Sequence, residues 1–300
     1  MLTEYQIKQF MKKSSFKLEG VNYENVVTTC NYYFPSLPIL TTYFDNSPNF
    51  FNQRDYGVYN LVYRASKYNR PFDNIEDISF VPEHKLSKLV KFGRVNKPHE
   101  SMFYGSFNLA TACMEILSRD DDFINSGKAM MIVGIWKFET PLTFASMPFS
   151  KNQLNLLHSN MDYRSDKVTE SIINKMWEHN NELMRPSFGM DILEFFSDAF
   201  AKFDIESDSD YFLSNYYADR VFNRLNDFSV KPVDGILYPS IPNSYEELNL
   251  VVEPKTVNCF RFLEVMQVWV VGHHNRGGGC EFIPVKQNIR ADSDGRLMWP

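Results

Sequence analysis

Apolar positions along the chain alternate between a two-residue and a helical period, and the switches divide it into blocks. The first fifty residues, aromatic-rich and ending at PSLPIL, predict a helical N-terminal segment. GVYNLVYRAS (57–66), SMFYGS (101–106), KAMMIVGIWKFE (128–139) and PLTFASMP (141–148) are β-branched, aromatic or continuously apolar, and predict strands. NRPFDNIEDISFVP is a turn-rich connector, and EHKLSKLVKFG predicts a short helix. In NLATACMEILSRD, Leu109, Ala112, Cys113, Ile116 and Leu117 recur at helical spacing, with Asn108 placed as the N-cap. The following RDDDF (119–123) is expected to be a helix-ending charged turn.

Residues 151–230 change character. TESIINKMWEHNNELM, MDILEFFSDAFAKF and DYFLSNYYADRVFNRL each carry apolar residues at helical spacing and predict three helices. Strands return at VDGILYPS (233–240), NLVVEP (249–254) and FRFLEVMQVWVVG (260–272), and a loop begins at His273. Strands on both sides of a helical block predict the α+β class. The expected organisation is a helical extension over 1–56, then one domain over 57–300 with a helical insertion at about 151–230.

Composition narrows the function. Aromatics make up 15% of the 300 residues, which excludes a disordered chain. A net charge of −6 gives no basic footprint, so no nucleic-acid partner is expected. The four cysteines are widely spaced with no CxxC pair, arguing against a structural zinc site or a disulfide scaffold. HHNRGGGC offers no second ligand pair, and its glycines lack the spacing of a phosphate loop, so no metal is expected. MLTEYQIKQFMKKSSF has no sustained apolar run, and no stretch reaches the roughly 18–20 apolar residues of a membrane span. The expectation is a cytoplasmic chain with no membrane partner.

One stretch concentrates candidate chemistry. GRVNKPHESMFYGSFNLATACMEIL (93–117) sets Arg94 after a glycine, Tyr104 in a short strand, and the lone acid Glu115 on a mostly apolar helix. Each has an ordinary alternative: Glu115 as a solvated helix residue, Arg94 as a turn residue in an ion pair, Tyr104 as core.

Its Gly-Arg-x-Asn-x-Pro, Phe-Tyr-Gly-Ser and Thr-Ala-x-x-Glu resemble the signature of the RES domain, a family named for its Arg, Glu and Ser. VDGILYPSIPNSYEELNLVVEP resembles the family's second stretch: Asp-Gly-Ile, an aromatic, a Ser, a loop, then Asn and an apolar strand. VYRAS (62–66) is similar to its opening aromatic-Arg strand. The resemblance implies an ADP-ribosyltransferase-like β core and an activity that consumes NAD⁺ as substrate, without a metal. Arg94, Tyr104 and Glu115 match the family's catalytic positions; Arg64 and Ser240 match positions that bind the dinucleotide. Ser240, between Pro239 and Ile241, could equally be only an exposed turn hydroxyl. Val95 and His99 depart from the pattern, standing where the family more often has an aromatic residue and a glycine.

The residue types suit the reaction. Cleaving the nicotinamide–ribose bond builds oxocarbenium-like charge on the ribose, which a carboxylate such as Glu115 can stabilise. A guanidinium such as Arg94, with Arg64 as helper, can grip the pyrophosphate through paired hydrogen bonds. Tyr104 can stack on nicotinamide or donate its hydroxyl. The acceptor could be water or phosphate (glycohydrolase or phosphorylase), as in bacterial toxins, or a protein (ADP-ribosyltransferase). An inactive RES-like interaction module is the reading from another class. The partners to look for are NAD⁺, an antitoxin protein and a second copy of the chain.

Overall fold

The computed structural model describes residues 2–14, 21–44, 61–150, 153, 188–202, 204–222, 232–240, 248–272 and 280–300. The first predicted insertion helix, TESIINKMWEHNNELM, lies outside the described residues, as do 57–60 and the His273 loop. The fold is α+β, and it divides into two compact units that interleave along the chain.

The first unit comprises Met1–Tyr43, Lys88–Glu100 and Leu142–Ile241. Helices α1 (Glu4–Ser14) and α2 (Tyr23–Tyr33) pack against α5 (Phe188–Phe200) and α6 (Phe212–Phe222), respectively. Helix α5 buries Met190, Leu193, Phe196, Ser197 and Phe200, which its i, i+3, i+4 spacing places on one face. Phe196 meets Phe34 edge-on with ring centroids 5.3 Å apart, and Tyr217 at 5.2 Å. Such pairs add about 0.5–1.5 kcal/mol each beyond the burial of their area. Strands β1 (Thr41–Phe44), β5 (Leu142–Ser146) and β6 (Gly235–Pro239) lie in that order, with β5 and β6 parallel.

The second unit comprises Phe44–Ser87, Ser101–Pro141 and Pro242–Pro300. Its sheet runs β7 (Leu248–Val252), β3 (Phe103–Ser106), β2 (Leu61–Lys67), β4 (Lys128–Phe138), β8 (Phe260–Gly272) and β9 (Cys280–Ile289). Every adjacent pair is antiparallel. Strand alternation gives the sheet two apolar faces. On one, Ala65, Met131, Val133 and Val268 pack against Ala112, Cys113 and Leu117 of helix α3 (Leu109–Leu117). On the other, Ile132 and Val265 pack with Phe72, Ile78 and Leu297.

Asn108 caps α3 as expected, its side chain accepting from the backbone N–H of Ala110 at 2.8 Å and of Thr111 at 3.3 Å. RDDDF differs from expectation. Asp120 is the N-cap of a further helix, α4 (Asp121–Ser126), accepting from Phe123 N–H, and Lys67 pairs with it at 2.8 Å. That ion pair and the Phe123 bond hold the Asp120 carboxyl below the usual carboxylate range. EHKLSKLVKFG forms the expected short helix, of the 3-10 type, over Glu83–Lys88.

Gly105 is required where it stands. A Cβ there would lie 2.5 Å from Val62 Cγ1 and 3.2 Å from the Phe103 ring, both fully buried. Gly105→Ala is expected to cost about 1–3 kcal/mol of stability by overpacking, read as a lower urea midpoint at unchanged slope.

Candidate active site

Glu115 stands on α3, half-buried, between Met114 and Ile116, which pack against the core on the α3 face. The cap at Asn108 and the buried stripe Ala112, Cys113 and Leu117 fix this short helix on β2 and β3, and with it the carboxylate. Ser106 and Asn249 sit directly opposite each other in β3 and β7, and each is 1% exposed. Ser106 Oγ donates to Asn249 Oδ1, and Asn249 Nδ2 donates to Glu115 Oε1. The amide that holds the carboxylate here is itself neutral.

Tyr104 lies one residue before Gly105 in β3 and is half-buried. By alternation it shares the Ser106 face of the strand, so it emerges on the side of Glu115's hydrogen-bond partners.

Arg64 does not join them. It leaves β2 with Val62, on the face of Phe103 and opposite to Ala65, against which α3 packs. Its Nη1 donates to the Tyr104 carbonyl at 2.9 Å, and its guanidinium carbon lies 5.2 Å from the Phe103 ring centroid. Burial lowers its pKa to about 10, so it remains a cation at neutral pH. Its Nε is enclosed without a hydrogen-bond partner among the described residues.

Arg94 and Ser240 belong to the first unit. Arg94 is 9% exposed. Its Nη1 donates to the Phe200 carbonyl at the end of α5, its Nη2 to the Lys202 carbonyl at 3.3 Å, and Tyr211 lies beside it. A helix C-terminus leaves such carbonyls without intrahelical donors, so a guanidinium suits them. A guanidinium has five N–H donors, and these bonds use two. Ser240 follows β6 and is fully buried, which overturns the reading of it as an exposed turn hydroxyl.

Helix α6 seats the Arg94 loop. Asn215 Nδ2 donates to the Gly93 carbonyl at 2.7 Å and to the Tyr211 carbonyl at 2.9 Å. Lys97 pairs with Asp219 at 2.9 Å, and Tyr23 donates to the same carboxylate at 2.7 Å. Burial opposes the Lys97 charge, but the Asp219 and Glu100 carboxylates outweigh it and raise its pKa.

His99 has a φ of 64°, in the left-handed region where glycine is at ease, and its N–H donates to the Leu89 carbonyl at 2.6 Å. The position thus keeps the backbone that a glycine would adopt. His99→Gly is expected to fold with little change in stability, whereas the β-branched His99→Val should lose about 1–2 kcal/mol, by chemical denaturation.

Ser106, Asn249, Asn215 and Asp219 are the residues that sequence reasoning did not assign to the site. Ser106 and Asn249 stand inside the quoted Phe-Tyr-Gly-Ser and Asn-apolar-strand stretches, so the signal was present as pattern but without a role. Among the described residues, no group of three or more His, Cys, Asp or Glu could hold a metal ion. No described helix is long and apolar enough to cross a membrane.

The second unit by itself presents an oriented carboxylate, and the first by itself a guanidinium seated by a helix end. Comparison with known proteins agrees with the signature residues. The family model described as RES domain matches residues 61–271 of the 300-residue chain, a span that includes Arg64, Arg94, Tyr104, Glu115 and Ser240. No curated relative matches the chain. The RES domain is associated with NAD-related, toxin-like proteins. With its signature segments present in order and the match covering well over half its length, this chain belongs to the RES domain family.

Proposed function

We propose that this chain consumes NAD⁺, breaking the nicotinamide–ribose bond and passing the ADP-ribosyl group to water or phosphate. The observation that supports this reading most is the Glu115 carboxylate, half-buried on the signature helix and held by the Asn249 amide. NAD⁺ carries its positive charge on the pyridinium ring. As the glycosidic bond breaks, nicotinamide leaves neutral, and the charge moves to the ribose. A fixed anion beside the ribose binds that second distribution better than the first, which is the requirement for catalysis. Attack by water gives ADP-ribose and a proton; attack by phosphate gives the 1″-phosphorylated ADP-ribose.

In this reading Arg94 grips the pyrophosphate with its remaining donors, and Tyr104 contacts the nicotinamide end. Arg64 supports β3 through the Tyr104 carbonyl, a role in placing the tyrosine and not in gripping phosphate.

Incubating the purified protein with NAD⁺, with and without phosphate, tests the proposal. Nicotinamide should be released, and mass spectrometry of the second product identifies the acceptor. A mass increase on a protein in place of free ADP-ribose would assign transfer to protein. No nicotinamide release under any of these conditions would remove the proposal.

A further inference from the structure

We infer that Ser106 and Asn249 are positioning residues for Glu115, two neutral side chains in series that set how the carboxylate is held. The inference rests on the proposed role of Glu115 in NAD⁺ cleavage. The two residues come from strands 143 positions apart in sequence, and the antiparallel register puts them face to face.

The direction of each bond follows from chemistry. A carboxylate only accepts, so Glu115 Oε1 must meet the NH₂ end of the Asn249 amide. That choice turns Asn249 Oδ1 the other way, into the interior, where an acceptor without a donor is costly. Ser106 supplies that donor. If the amide were turned end for end, an amide oxygen would face a carboxylate oxygen in a poorly screened setting. The Ser106 hydroxyl thus satisfies the orientation that Glu115 needs.

Neutrality also matters. A lysine or arginine at position 249 would orient the carboxylate while neutralising it, and would compete with the cationic ribose for its charge. An amide orients the carboxylate without bringing a charge of its own.

Kinetics of Asn249→Ala, Ser106→Ala and Ser106→Thr, with side-chain amide ¹H–¹⁵N spectra of the full chain, test the inference. Expected are kcat losses of about 10–100-fold for Asn249→Ala and about 10-fold for Ser106→Ala. KM should stay within about twofold, since the loss is confined to the transition state. Ser106→Thr, which keeps the hydroxyl, should recover most of the loss. The spectra report independently of turnover. The Asn249 amide signal, assigned by through-bond correlation to its own backbone, should move in both Ser106→Ala and Glu115→Ala. Should Asn249→Ala fail to fold, Ser106→Ala decides the kinetics, and the signal's response to Glu115→Ala decides the contact. Folded Ser106→Ala protein with wild-type kcat, or an Asn249 amide indifferent to Glu115→Ala, would overturn the relay. A wild type that releases no nicotinamide but shows the coupled amide shifts would instead remove the NAD⁺ reading and leave the relay standing.

Discussion

Glu115→Gln is expected to lower kcat for NAD⁺ cleavage by about 10²–10³-fold, the usual scale for losing one preorganised electrostatic contact. Glutamine keeps the length and shape of the side chain, and its carbonyl can still accept from Asn249 Nδ2. What it removes is the negative charge. Because the substrate's positive charge reaches the ribose only as the bond breaks, KM should move by less than about threefold. Initial rates of nicotinamide release over a range of NAD⁺ concentrations separate the two effects. A proportional rise in KM at constant kcat would mean that Glu115 merely binds substrate.

Arg94→Ala is expected to act on both stability and affinity. In the folded chain the guanidinium satisfies the carbonyls of Phe200 and Lys202, and it is 9% exposed. Removing it withdraws the donors from that turn and leaves a void beside Tyr211. A loss of about 2–4 kcal/mol follows from hydrogen bonds of the charged kind together with lost packing. Arg94→Lys should restore charge but not the planar fork that reaches both carbonyls, so it should recover only part of that loss. In the proposed function the same substitutions raise KM for NAD⁺ by about tenfold or more, because one charge-assisted contact to the pyrophosphate is lost. Denaturant unfolding and steady-state kinetics on the same preparations read the two effects apart.

The parts of the fold that could be read from sequence are those where one face is buried and periodicity survives. Helix α3 is such a case, with its cap at Asn108 and its stripe at Ala112, Cys113 and Leu117. Strand β4 is another, since buried apolar side chains dominate its run, and β8 carries a long apolar run with Phe260, Val265, Val268 and Val270 buried. Strand β9 left no such trace. It lies at the sheet margin, Ile283 and Val285 are exposed, and Pro284 interrupts its sequence, so it is held by backbone pairing to β8 and shows no alternation. Pro284 and Lys286 also suit a margin position, where they discourage pairing with another chain. Helix α4 was hidden because three consecutive aspartates look like a solvated turn until Lys67, from a distant strand, pairs with the first and third.

The site divides in the same way. Glu115, Tyr104 and Arg94 could be named as candidates because they belong to a local stretch with a recognisable order. The Ser106–Asn249 pair depends on the register between β3 and β7, a non-local fact with no local signature. The face taken by Arg64 is also a matter of strand parity: one residue's shift in register exchanges the faces, and composition says nothing about it.

In the proposed reaction the Glu115 carboxylate faces the ribose whose bond to nicotinamide is cleaved. A crystal structure of the protein with an NAD⁺ analogue carrying a carbocyclic ring in place of that ribose tests it most directly. The expected result is the ring's C1″ position beside the Glu115 carboxylate. An analogue bound with its pyrophosphate or adenine next to Glu115, or seated away from α3 altogether, would contradict it.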